Sequence, residues 1–181
     1  MNEHSGYTLE RGGHALMLLH DFGQTAEGLR PLAEALAGQG LTVCVPALYD
    51  PDAHWSEWLR AARAAYTGLL NAHVRVSLCA LGESAALALL LAEAYAAGQV
   101  LLVQPEQPAR HGACFGLRAL ERQARRSLFA LEGQPQILLR EGADAVALRQ
   151  ARRLSRQIGS CLIGQFPQGG LAGALLARLP A

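Results

Sequence analysis

Lysine is absent from this chain: all 16 basic residues are arginine. A GC-rich coding sequence accounts for that bias without any functional cause. Histidine is scarce in a more telling way, because the last of six is His111 and none follows it. The cysteines Cys44, Cys79, Cys114 and Cys161 form no CxxC pair, which argues against a zinc knuckle or a disulfide framework and for a reduced compartment. No apolar run reaches the roughly 18 uncharged residues of a membrane span; the longest, Ala85–Ala92, stops at Glu93. Met1–Gly6 offers neither a basic nor an apolar leader segment. The expectation is a cytoplasmic protein that does not engage membrane.

What is present is a strongly apolar composition, 51% hydrophobic against 17% charged over 181 residues. That length suits one domain, 1–181, with a continuous core. The net charge of +1 hides an asymmetry: five arginines and eleven acids precede position 110, while eleven arginines and four acids lie from Arg110 onward. Such a distribution can mark an anionic partner. However, Arg118, Arg122 and Arg125, like Arg149, Arg152, Arg153 and Arg156, recur at helical spacing and read as solvated helix faces. No aromatic residues interleave with them, so no nucleic acid is expected.

Short apolar runs alternate with helical patterns. Strands are expected at Ala15–Leu19, Leu41–Val45, Val74–Leu81, Val100–Val103, Gln136–Leu139 and Cys161–Phe166. Helices are expected at Thr25–Ala37 with Thr25 as its cap, at Ser56–Leu70, Glu83–Ala97, around Leu117–Leu131, and at Ala145–Ile158 and Leu171–Leu179. Strands that are apolar throughout, each followed by a helix, signal a parallel sheet covered on both faces. The fold class is therefore α/β: a doubly wound, mostly parallel sheet of about six strands, with ligands outside the carboxyl ends of the strands.

The segment Arg75-Val76-Ser77-Leu78-Cys79-Ala80-Leu81-Gly82-Glu83-Ser84-Ala85-Ala86 runs from a strand into a small-residue helix start. Leu18-Leu19-His20-Asp21-Phe22-Gly23 ends another strand, Gly40 to Pro46 forms a third, and Trp55-Ser56-Glu57-Trp58 opens an aromatic-rich helix. Together with Pro135 to Asp144 and Phe166-Pro167-Gln168-Gly169-Gly170, these segments resemble the α/β-hydrolase superfamily, particularly its small carboxylesterases and monoacylglycerol-lipase-like members. The resemblance covers roughly Leu16 to Leu171 and implies a nucleophile elbow followed by an acid and a histidine. The chain looks short for such a protein, with little room for a lid.

Two registers fit the elbow. One takes Gly82-Glu83-Ser84-Ala85-Ala86 as G-x-S-x-G, which makes Ser84 the nucleophile. The other, without a gap, places Gly82 at the nucleophile position. The resemblance puts Asp144 at the acid position and Leu171 where the histidine would stand. Asp21 follows His20 where the family has glycine. His20 reads as an orderer of its loop or a substitute base, and His111 as another displaced base. The Phe22 N–H is a candidate oxyanion donor, with Glu83 and Ala85 beside it. Asp50, Asp52 and His54 alternate in a way that would admit a metal, but a turn and a helix cap account for them; no metal and no cofactor are expected.

A serine hydroxyl without an adjacent base is a weak nucleophile, and losing nucleophile or base costs on the order of 10⁶ in kcat. The expectation is a protein of hydrolase form that acts by binding a small apolar or ester-like ligand, or a protein partner. The alternative is a weak serine esterase or thioesterase using Ser84.

Overall fold

A computed structural model describes residues 5–49, 53–95, 97–105, 135–158 and 161–179. Among the described residues the sheet has seven strands: β1 (Tyr7–Leu9), β2 (His14–Leu19), β3 (Thr42–Val45), β4 (Arg75–Leu81), β5 (Val100–Val103), β6 (Gln136–Arg140) and β7 (Leu162–Phe166). Their spatial order is β1-β3-β2-β4-β5-β6-β7. Every pair is parallel except β1 with β3, where Thr8 faces Cys44. The helices are α1 (Arg30–Ala37), α2 (Trp55–Ala72), α3 (Ala85–Ala94), α4 (Ala145–Ile158) and α5 (Leu171–Leu176).

Alternation along the strands builds two cores. Met17, Leu19, Leu78 and Leu102 pack on one face with Tyr66 of α2, Leu87 and Leu91 of α3 and Ala151 of α4. Leu16, Leu18, Cys79 and Leu101 pack on the other with Leu36 of α1 and Leu175 of α5. Successive strand residues point to opposite faces, and with helices on both sides both faces are mostly apolar; the buried polar strand residues Thr42 and Ser77 are hydrogen-bonded, to Gly12 O and to His14. Helix α3 is buried all round from Ala85 to Ala92, which explains why its sequence lacks an amphipathic period. Burial pushes the Cys79 thiol up to about 12 and raises Cys44. Among the described residues no helix is long and apolar enough to cross a membrane.

The structure corrects several expectations. Strand β1 raises the count from about six to seven; with three residues at a sheet edge, it buries too little to leave an apolar run. The expected helix from Thr25 opens as a 3₁₀ turn, Ala26–Leu29, with no side-chain cap from Thr25. The α-helix proper begins at Arg30, with Pro31 in its first turn. The cap of α2 is His54, whose Nδ1 accepts from Ser56 N at 3.4 Å. Helix α3 starts at Ala85, after a 3₁₀ turn over Gly82–Ser84, and ends at Ala94. Helix α5 stops at Leu176 rather than Leu179. Asp50, Asp52, Cys114, Arg118, Arg122, Arg125 and the expected Leu117–Leu131 helix lie outside the described residues. On α4, Arg149, Arg152, Arg153 and Arg156 are exposed.

Candidate functional site

The carboxyl ends of β2 and β4 lie side by side, with Leu19 opposite Ala80. The chain leaves β2 through His20-Asp21-Phe22 and leaves β4 through Gly82-Glu83-Ser84. These two turns meet. Gly82 is the apex of the second, with φ +55°, a left-handed conformation that a side chain disfavours. A Cβ placed there would lie 2.2 Å from Asp21 Oδ2 and 2.4 Å from Oδ1. The Asp21 carboxylate therefore fills the space above the apex.

That carboxylate is held by main chain. Asp21 Oδ1 accepts from Phe22 N at 2.8 Å and from Glu83 N at 2.8 Å. Two donors from separate turns thus converge on one oxygen, at the spacing of a hole that stabilises an oxyanion.

Beneath the apex lies a buried polar chain. Ser84 is 0% exposed, and its hydroxyl donates to the His20 carbonyl. With that proton committed, the Tyr49 hydroxyl donates to Ser84 Oγ at 2.6 Å. His20 is also buried. Its Nε2 accepts from Leu48 N at 3.2 Å, which leaves Nδ1–H to donate to the Asp21 carbonyl at 3.1 Å. Burial lowers the His20 pKa and raises that of Tyr49, in both cases favouring the neutral form. Ala85, buried and small, lets α3 leave close against β4.

An aromatic cluster walls this polar chain. Tyr49 packs edge-on against His20 (5.3 Å), Phe22 (5.4 Å) and Trp58 (5.2 Å) between ring centroids. A cavity of about 620 Å³ opens on its outer side, lined by His20, Leu48, Tyr49, Trp58, Ala61 and Arg60 among others; Gly82, Asp21 and Glu83 do not line it. The cavity and the carboxylate clamp are neighbours that share His20 at their boundary.

Asp144 and Leu171 are engaged elsewhere. Asp144 is exposed, and its Oδ1 accepts from Val146 N at 2.9 Å and Ala147 N at 2.8 Å, capping α4. Leu171 is the first residue of α5, half-buried against the core that contains Phe166 and Leu175. His111 lies outside the described residues. Sequence reading missed Tyr49 and Trp58 as site residues. The one local oddity at Tyr49, a φ of +61°, leaves no mark in composition.

No family model matches the chain. In an alignment of 92 positions that takes in 46% of this chain and 37% of the relative, it is 32% identical to the thermostable monoacylglycerol lipase of Bacillus sp. (strain H-257). Among solved structures it is similar to one from the work on LipS and LipT, two metagenome-derived lipolytic enzymes (TM-score 0.80, 13% identity, 98% of this chain and 97% of that chain). It is also similar to the Paleococcus ferrophilus monoacylglycerol lipase (TM-score 0.74, 11% identity, 95% and 96% covered). A third likeness is to Est1E from Butyrivibrio proteoclasticus with ferulic acid bound (TM-score 0.74, 11% identity, 96% and 94% covered). The chain has the α/β-hydrolase fold. In an α/β-hydrolase a strand–turn–helix step lifts the nucleophile above the sheet, and the next N–H forms part of the oxyanion hole. The step from β4 to α3 here has that shape, with Glu83 N following Gly82.

Proposed function

We propose that this α/β-hydrolase-fold protein does not hydrolyse esters through a triad and instead binds a small apolar or ester-like molecule in the cavity beside Tyr49 and Trp58. One observation carries the reading: Gly82 stands at the apex of the elbow, and the Asp21 carboxylate fills the space above it on both converging N–H donors. In this register residue 82 has no side chain to attack with, and the hole that would receive a substrate oxyanion is taken. Ser84 is sealed beneath the turn and hydrogen-bonded on both sides, so no substrate carbonyl reaches it. Leu171 supplies no base. The cavity supports the binding role, since its volume of about 620 Å³ falls in the range of small-molecule sites and its walls are mostly apolar.

Two measurements test this. Intact-mass spectrometry after exposure to a fluorophosphonate should show no adduct; an adduct on the parent that vanishes in Ser84→Ala would restore the esterase reading. Titration with a short-chain aryl ester, followed by tryptophan fluorescence, should saturate without turnover. Ala61→Trp, which fills the cavity, should abolish that response. An unaltered titration in that variant would remove the cavity from the proposal.

A further inference from the structure

The two donors that hold Asp21 are fixed by contacts that do not involve its carboxylate. On one side, Gln24 N closes a turn on the Asp21 carbonyl at 3.1 Å, and His20 Nδ1 donates to the same oxygen. The Phe22 ring is wedged between Tyr49 and Trp58, with centroids at 5.4 and 5.7 Å. On the other side, Glu83 N belongs to the 3₁₀ turn Gly82–Ser84, which the Ser84 hydroxyl ties to the His20 carbonyl. Without the Asp21 side chain, both N–H groups would still aim at one point. The missing Cβ of Gly82 would leave room there for a second carboxylate.

We propose that the Phe22–Glu83 amide pair is a carboxylate-binding site that the chain keeps closed with its own Asp21. The ligand class follows from what occupies the site now: a monocarboxylate, one oxygen of which takes both donors at about the 2.7–2.9 Å of a charge-assisted hydrogen bond. A tethered group competes at an effective concentration of about millimolar or more, so dilute carboxylates do not displace Asp21. Opening then requires a shift of the His20–Phe22 turn, which makes the contact autoinhibitory. This inference deepens the proposed function and rests on its placement of Gly82 at the elbow.

The test is an amide NMR titration of Asp21→Gly with sodium acetate, with sodium chloride holding the ionic strength constant. The Phe22 and Glu83 resonances should shift saturably, with a dissociation constant on the order of millimolar, and acetate should raise Tm where chloride does not. The parent should show neither response. Asp21→Asn, whose amide oxygen still accepts from both donors, should also stay closed. Unresponsive Phe22 and Glu83 amides in folded Asp21→Gly would overturn the site, as would an equal response in the parent. If Asp21→Gly does not fold in buffer, recovery that requires acetate supports the site, and failure with or without acetate overturns it. Ester turnover by the parent would defeat the proposed function while leaving this titration informative; silent amides would defeat the site and leave the absence of turnover standing.

Discussion

Asp21 and Gly82 exclude each other's alternatives: the carboxylate lies 2.2 Å from where a Cβ on residue 82 would stand, so the aspartate requires the glycine. Residue 82 is therefore not free to gain a side chain while Asp21 remains. Gly82→Ser must adopt the +55° φ, at about 1–2 kcal/mol for a residue with a Cβ, and must also displace a hydrogen-bonded carboxylate. Its total cost should be about 2–4 kcal/mol. In an Asp21→Gly background only the backbone part remains. A double-mutant cycle by urea denaturation should therefore show favourable coupling of about 1–3 kcal/mol. Additive effects would mean that the two turns do not meet as described.

Ser84→Ala should weaken the fold without touching ligand binding. The Tyr49 hydroxyl loses its acceptor and the His20 carbonyl its donor, both in a sealed environment where an unpaired polar group costs about 1–3 kcal/mol. The loss should appear in Tm and in the urea midpoint, while the aryl-ester titration keeps its midpoint. A Ser84→Ala variant as stable as the parent would contradict the buried chain.

The sheet was legible because its signals are local and repeated. Val100–Val103 and Ala145–Ile158 match the sequence reading residue for residue, the strand apolar throughout and the helix carrying arginines at helical spacing on its exposed face. β1 was not legible, since three residues at an edge, Thr8 exposed between the half-buried Tyr7 and Leu9, gain their structure from β3 rather than from their own pattern. The elbow was legible as a strand running into small residues, but two registers fitted it. The positive φ at Gly82 and the full burial of Ser84 support the ungapped register on which the proposed function rests. What no spacing rule could give is the pairing of Asp21 with Glu83 across 62 positions. Asp21 looked like a loop acid, and only the meeting of two strand ends turns it into an occupant. Tyr49 and Trp58 escaped notice for the same reason, as their cluster joins a loop to a helix.

His20 gives a pH signature. Burial lowers its pKa below the usual 6.5, and Nε2 is an acceptor for Leu48 N, a role that protonation ends. The unfolded chain takes up this proton first as pH falls. The stability contributed by neutral His20 is therefore fully present above about pH 6.5 and is lost as pH drops toward the lower folded-state value, with a slope of at most about 1.4 kcal/mol per pH unit. The measurement is the pH dependence of urea stability between pH 8 and 5 (about the span over which an ordinary histidine titrates), compared with His20→Gln. The variant should be weaker at neutral pH and flatter on the acid side. Parallel curves would assign the acid sensitivity to groups other than His20.

The assignment of Gly82 and Leu171 to nucleophile and base positions can be tested by rebuilding them. Asp21→Gly empties the hole, Gly82→Ser places a hydroxyl on the apex, and Leu171→His puts an imidazole at the start of α5. Each change is insufficient alone: the serine clashes while Asp21 remains, and the hydroxyl is weak without a base. The triple variant should react with the fluorophosphonate at residue 82 and hydrolyse an activated aryl ester. Its rate should exceed that of the Asp21→Gly, Gly82→Ser double variant by about 10²-fold or more, the lower end of what a positioned general base contributes. Asp144 limits the outcome, because its carboxylate is engaged in capping α4, and an imidazole left unoriented works below its full effect. An adduct without the histidine-dependent gain would keep Gly82 at the elbow and move the base position away from Leu171. No adduct in a folded triple variant would remove Gly82 from the nucleophile position.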